Sequence, residues 1–349
     1  MLTITLRDLQ WRARRFALGV VATSLVFSMT LLLAGLVAGF GREVERTVST
    51  FHSDRWVVGR GASGPFTSLS PIPASVRARV LATPGVQAAE NVVIFRHTAY
   101  DRGSEHQLNV IAVQPGGLVR PGLAEGRAVA RNGEAVVDRL SGIGMGDSIT
   151  VGDTRFKVVG RTSGLTYFAG QPVLVMSLHD GRHVAYDDAP LASAVITRGV
   201  PRSPLRGLIV MDNAAVKKDL RKPVAGATTT IAILAVILAL IAAGIIGLMT
   251  YLSGLDRLVD FAVFKAIGVR TSKLLTGLVL QVLLLAVMSA AIAAVLAVAI
   301  APAFPIGVSL SAATFAGLLG LAVVVGLLVS IVNVRQATGV DPALAFGRN

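Results

Sequence analysis

Cysteine is absent from the sequence, so no disulfide, thiolate metal site or cysteine nucleophile can form, and any domain outside a membrane must stand on its own core. Charge is also scarce: 15% of residues are charged against 53% hydrophobic, and mean hydropathy is +0.68. That balance is too apolar for an ordinary soluble protein. Acidic residues are outnumbered 20 to 33, leaving a net charge of +13. Such a surplus would suggest nucleic acid if it clustered on a folded domain. Instead Arg7, Arg12, Arg14, Arg15, Arg257, Lys265, Arg270, Lys273, Arg335 and Arg348 stand at the edges of hydrophobic runs, where positive charge sets membrane orientation, so no nucleic-acid partner is expected. Three chemical signatures are missing too. There is no Gly-Lys dipeptide and hence no Walker A cradle for ATP, no Gly-x-Ser-x-Gly nucleophile elbow, and no His-Glu-x-x-His zinc motif.

Long charge-free runs are what the sequence does contain. Residues 16–41 carry no charge and would make a helix of about 39 Å, enough to span a bilayer with some tilt. A signal peptide is the competing reading, since Arg12, Arg14 and Arg15 resemble a charged leader, but the run is too long and lacks an Ala-x-Ala cleavage site. A second run extends from Pro223 to Leu255. A third, from Leu274 to Val334, is about twice what one helix needs and is broken by Pro302, Pro305 and Gly307. The expected spans are therefore 16–41, 225–254, 274–300 and 312–334, with a short external turn at 301–311. Flanking Lys and Arg put the N-terminal segment 1–15, the loop 255–273 and the tail 335–349 in the cytoplasm of a plasma-membrane protein. Lys217, Lys218, Arg221 and Lys222 run against this rule, as cations on the outer side just before the second span; long translocated segments largely escape it.

Between the first two spans, residues 42–222 change character, with frequent Gly, Pro and charged residues. Short β-rich runs recur at 55–58, 91–98, 107–113, 134–137, 148–151, 155–159, 173–176 and 193–197, and helices are expected at 74–81 and 213–220. The expected fold is thus membrane α-helical, with four transmembrane helices in a 1+3 arrangement, and an α+β extracytoplasmic domain with mixed strands. This domain holds all five histidines. His179 and His183 are spaced as two ligands on one helix face, but Asp180-Gly181-Arg182 between them reads as a turn, and a solvated loop is the preferred reading over a metal site.

Two cytoplasmic pieces look able to meet partners. Leu2, Leu6, Leu9, Ala13 and Phe16 recur at helical spacing, so residues 1–15 are expected as an amphipathic helix lying along the inner leaflet. From Asp256 to Arg270 a short helix closed by Gly268 is expected, apolar around most of its circumference and so in need of cover on more than one side. The bilayer or neighbouring spans can cover one side and a cytoplasmic partner the other, with Arg257, Asp260 and Lys265 providing polar registration. A simple interfacial connector is the plainer alternative.

These residues carry a likeness. Arg257-x-x-Asp260 followed by Lys265-Ala266-Ile267-Gly268 resembles the coupling segment of the FtsX-like or MacB-type ABC permeases, the type VII ABC transporters. The tail Asp341-Pro342-Ala343-Leu344-Ala345 is similar to that family's ending, shortened by one residue, and Gly146 to Val151 with Phe156 to Gly160 resembles a β-stretch of its outer domain. The resemblance covers the whole chain. It implies a non-enzymatic permease subunit in a homo- or heterodimer, served by a separate ABC ATPase subunit that binds ATP and Mg, with no cofactor in this chain. It also implies mechanotransmission, in which ATP-driven closure reaches the outer domain and acts there on an extracytoplasmic protein or lipid substrate. Arg257, Asp260, Phe261, Phe264, Lys265 and Gly268 are then the expected ATPase-coupling residues. Gly35 with Gly39, and Ala286 with Ala290, are small-xxx-small steps expected at helix packing or dimer contacts; packing within one chain explains them equally well. The rival from another class is a membrane sensor or regulator whose outer domain controls an envelope protein without transport. A membrane-bound hydrolase lacks any recognisable constellation.

Overall fold

The computed structural model describes residues 13–68, 70–255, 271–304 and 307–338. The chain divides into two units, one of Met1–Ala38 with Thr228–Asn349 and one of Gly39–Ala227.

The first unit is built from long apolar helices: α1 (Ala13–Ser49), whose later part belongs to the second unit, and α5 (Ala225–Leu255), α6 (Thr271–Ile300) and α7 (Ala312–Thr338). All four are long and apolar enough to cross a membrane. Helix α1 runs eight residues beyond the expected end of the span at 41, because Val44 and Val48 continue its buried stripe past the last lipid-compatible residue. The bundle core joins Val20, Phe27 and Leu31 of α1 to Ala242 and Ile246 of α5, to Ala286, Ala290, Ala293 and Ala297 of α6, and to Ala322 and Val325 of α7. In lipid there is no hydrophobic drive between helices, so this alanine row supports association by letting backbones approach. Three hydroxyls inside the bundle turn back on their own helices, Thr30 donating to the Val26 carbonyl, Thr250 to Ile246 and Ser330 to Gly326, while Ser289 of α6 donates across to the Val20 carbonyl of α1 at 3.3 Å. No water is needed to satisfy them.

The second unit is α+β. Its main sheet has eleven strands along the order β13-β1-β12-β3-β4-β10-β6-β8-β5, with β7 on β3 and β8 and β9 on β10. These are β1 (Arg55–Gly59), β3 (Val86–Asp101), β4 (Ser104–Val113), β5 (Leu123–Gly126), β6 (Glu134–Asp138), β7 (Ser148–Val151), β8 (Thr154–Thr162), β9 (Thr166–Tyr167), β10 (Gln171–Ser177), β12 (Ala194–Gly199) and β13 (Leu208–Asp212). A small ribbon pairs β2 (Ile72–Pro73) with β11 (Leu191–Ala192). Pairing is mixed: β10 lies parallel to β4 and β6 parallel to β8, while β3 and β4 form a long antiparallel hairpin. Alternation drives the strands, as in β8, where Phe156, Val158, Gly160 and Thr162 are buried and the residues between them are less so. Seven of the eight expected β-runs fall wholly on strands, most of which are a residue or more longer, and the eighth, 193–197, meets β12 from Ala194 on. Helices α2 (Val76–Leu81) and α4 (Asn213–Arg221) lie where helices were expected.

One expectation is overturned. Residues 178–186 form helix α3 rather than a loop. Ser177 caps it by accepting the Asp180 N–H at 3.0 Å. Gly181, read from sequence as a turn residue, sits where any side chain would collide with Ala112 of β4, so its role is close helix–strand approach.

Candidate functional site

The expected coupling residues Arg257, Asp260, Phe261, Phe264, Lys265 and Gly268 lie outside the described residues, as does the N-terminal amphipathic segment up to residue 12. The packing residues are described. Gly35 is buried, and its carbonyl accepts the Ser309 N–H at 2.8 Å. A Cβ there would stand 2.7 Å from Val308 Cγ1 and 3.0 Å from Leu310 Cδ2. Gly39, one turn on, is half-buried. Ala286 and Ala290 face the bundle core of their own chain, with Gly326 close enough that a Cβ would touch Ala286 at 3.5 Å.

A second constellation, which sequence reading missed, is built where α1 ends inside the outer domain. Val44, Val48 and Phe51 are fully buried in the same core as Trp56, Val136, Tyr167, Val175 and Ile196. The adjoining polar face of α1 grips the segment 163–170, which leads from β8 through β9 to β10. Thr47 Oγ1 donates to the Thr166 carbonyl at 2.8 Å; Arg46 Nη1 donates to the carbonyls of Ser163 and Gly164 at 3.1 and 2.9 Å; Glu43 Oε1 accepts the Gly170 N–H at 2.7 Å. Residues 43, 46 and 47 share one helix face by the i, i+3, i+4 rule, which is why a single loop can engage all three. The gripped hairpin is held in an uncommon conformation, with Phe168 and Ala169 at φ of 59° and 65°. Its aromatic neighbours form a chain of ring contacts, Phe51–Trp56 at 4.5 Å, Trp56–Phe66 at 5.7 Å, Phe66–Tyr167 at 5.3 Å and Tyr167–Phe168 at 4.9 Å, ending with Arg96 over the Phe168 ring at 5.3 Å.

The exit from the domain is fastened separately. On α4, Val216 and Leu220 enter the core, and the fully buried carboxylate of Asp219 accepts hydrogen bonds from the Phe66 N–H at 3.2 Å and the Thr67 hydroxyl. Asn213 joins the two ends of the domain: it accepts from Trp56 Nε1 at 2.9 Å and donates to the Ser53 carbonyl at 2.8 Å. Lys217 adds an ion pair to Glu45 at 2.6 Å.

The histidine pair is placed differently. His183 Nδ1 lies 2.9 Å from Asp188 and its Nε2 3.7 Å from Asp153, whose carboxylates hold the imidazole above the ordinary histidine range. His179 is exposed, and among the described residues only Asp180 lies within ion-pair distance, so the two rings take separate partners. Among the described residues no cluster of three or more His, Asp or Glu is arranged to hold a metal ion.

Comparison with known proteins identifies relatives. The profile described as FtsX-like permease, C-terminal, matches residues 232–342. An uncharacterized ABC transporter permease of Mycobacterium bovis is 38% identical over 99% of both chains, and another from Mycobacterium tuberculosis is 37% identical over the same share. Among solved structures, the periplasmic region of MacB from Actinobacillus actinomycetemcomitans aligns with 51% of this chain and 98% of its own, at a TM-score of 0.38 and 9% identity. The extracellular domain of the noncanonic ABC-type transporter YknZ from Gram-positive bacteria aligns with 46% of this chain and all of its own, at 0.35 and 9%. With more than a third of its residues shared along nearly the full length of these relatives, and the permease profile running from the second span through the fourth, this multi-pass membrane protein belongs to the FtsX/MacB-type ABC transporter permease family.

Proposed function

We propose that the chain is a mechanotransmitting permease subunit. Its N- and C-termini and residues 255–273 face the cytoplasm, where a separate ATPase subunit binds ATP and Mg and docks on Arg257, Asp260, Phe261, Phe264, Lys265 and Gly268. A second permease subunit completes the complex. Closure of the ATPase pair moves the coupling segment, the transmembrane helices carry that motion outward, and the outer domain delivers it to an envelope protein or lipid.

The observation that supports this reading is that α1 does not end at the domain but enters it. A helix whose last two turns supply core residues and three hydrogen-bonding side chains to the domain cannot shift without moving the 163–170 segment with it. A loosely tethered domain would be built with a polar linker at this point instead.

The absence of cysteine makes the test clean. An environment-sensitive probe on Ser203→Cys, an exposed position of the outer domain, is expected to change emission when ATP is added to the full complex of permease and ATPase. Phe261→Glu should abolish that response and lower copurification of the ATPase while the permease stays folded. A probe silent to ATP in an ATP-hydrolysing complex would exclude mechanotransmission, and wild-type copurification of Phe261→Glu would exclude the assigned docking segment.

A further inference from the structure

The cations that precede the second span are left unexplained by force transmission. Lys217, Lys218, Arg221 and Lys222 fall within six residues and stand immediately before the charge-free run that opens at Pro223. Arg42 directly follows the charge-free run of the first span. The chain therefore enters and leaves its outer domain beside basic residues, and the Glu45–Lys217 ion pair ties the two places together.

Two of these cations are already neutralised. Lys217 pairs with Glu45, and Lys222 Nζ lies 3.8 Å from Asp219. Arg42, Lys218 and Arg221 are exposed, and among the described residues none has a carboxylate within ion-pair distance. Lys218 and Arg221 are three apart on α4, hence neighbours on its surface, while Val216 and Leu220 bury the other side. Arg42 precedes Glu45 by three residues on α1 and so shares the face that carries the ion pair. The remaining acid of α4's start, Asp212, is occupied as the helix cap, accepting the Ala215 N–H at 2.8 Å. Three exposed cations without a carboxylate partner among the described residues thus lie within about one helical turn of Glu45 or Lys217 along their own helices, at the two points where the apolar runs stop.

We propose that Arg42, Lys218 and Arg221 bind the headgroup phosphate of an anionic glycerophospholipid in the outer leaflet. A phosphodiester at the membrane surface offers the anionic oxygens that a guanidinium takes in bidentate fashion and an ammonium as a point charge. The charge rule gives no reason to place such residues outside, whereas lipid recognition does. The assignment to the outer leaflet rests on the proposed orientation of the chain; binding itself does not.

Lipid binding is tested with the full chain reconstituted in nanodiscs of equal phosphatidylglycerol and phosphatidylcholine, followed by mild delipidation and mass spectrometry of retained lipid. Each cation near an anionic surface contributes about fivefold in attraction. Wild type should therefore retain phosphatidylglycerol in excess, and Lys218→Gln with Arg221→Gln should cut that excess by up to about 25-fold, fivefold for each cation removed. Arg79→Gln, at an exposed cation on α2, should leave it unchanged. Equal retention of both lipids by wild type, or an equal loss in the Arg79 control, would overturn the proposal, as would displacement of the lipid by millimolar inorganic phosphate in place of selective retention. Orientation is read separately, by labelling Ser203→Cys with an impermeant maleimide on intact cells: failure to label would reverse the leaflet and leave the lipid measurement to stand or fall on its own.

Discussion

Thr47 and Thr166 are 119 residues apart, yet the hydroxyl of one donates to the carbonyl of the other at 2.8 Å in a buried environment. Thr47→Val keeps the shape of the side chain and removes the donor, leaving a buried carbonyl unpaired. We expect a loss of about 1–3 kcal/mol, read as a lower denaturant midpoint of the outer domain in the full chain. A midpoint within error of wild type would show that water takes the place of the hydroxyl.

The hairpin that receives this bond carries Ala169 in the left-handed region at φ 65°. A residue with a Cβ is disfavoured there, and glycine is not, so Ala169→Gly is expected to raise stability by up to about 1 kcal/mol. Thermal unfolding in detergent checks the direction: a decrease would mean that the Ala169 methyl contributes more in packing than its backbone costs.

Gly35 offers the complementary test within the bundle. Gly35→Val places a Cβ 2.7 Å from Val308 Cγ1 and is expected to cost about 1–3 kcal/mol by overpacking. Val308→Ala in the same chain should recover most of that loss. Without recovery, the Gly35 contact with residues 308–310 is not what sets the helix spacing.

The pair of His183 with Asp188 and Asp153 makes one corner of the outer domain sensitive to pH. The imidazole pKa is raised in the folded state, first by the hydrogen bond to Asp188. Its contribution is therefore fully present below the unfolded histidine value, about 6.5, and is lost as pH rises through the higher folded value. NMR titration should show the His183 ring titrating above the unfolded histidine value. His183→Gln should flatten the decline in local amide protection near Asp188 over that window, and a wild-type decline in the variant would assign the effect to another group.

Buried Asp138 is the junction of β6 with the turn before β9: it accepts from Thr162 Oγ1 and Leu165 N, both at 2.7 Å, and from Leu140 N at 3.1 Å. Asp138→Ala strands all three donors and is expected to destabilise by about 3 kcal/mol or more, measured by chemical denaturation. A loss under about 1 kcal/mol would mean that solvent reaches the site.

The membrane architecture was readable from residue order alone, because lipid tolerates neither charge nor unpaired backbone and so writes each span as a charge-free run of fixed minimum length. The same holds for the strands, where period-two burial needs only local alternation. What the order of residues did not disclose is where those elements meet. Glu43, Arg46 and Thr47 read as ordinary polar residues beyond a span, and their partners at Ser163, Gly164, Thr166 and Gly170 lie more than a hundred positions away. Gly181 carries the same lesson from a helix misread as a turn: its meaning lies in Ala112 on a distant strand. Hydrophobic periodicity is a property of neighbours in sequence. Hydrogen-bond pairing and close approach depend on chain path, and only the folded arrangement of the sheet around the end of α1 decides them.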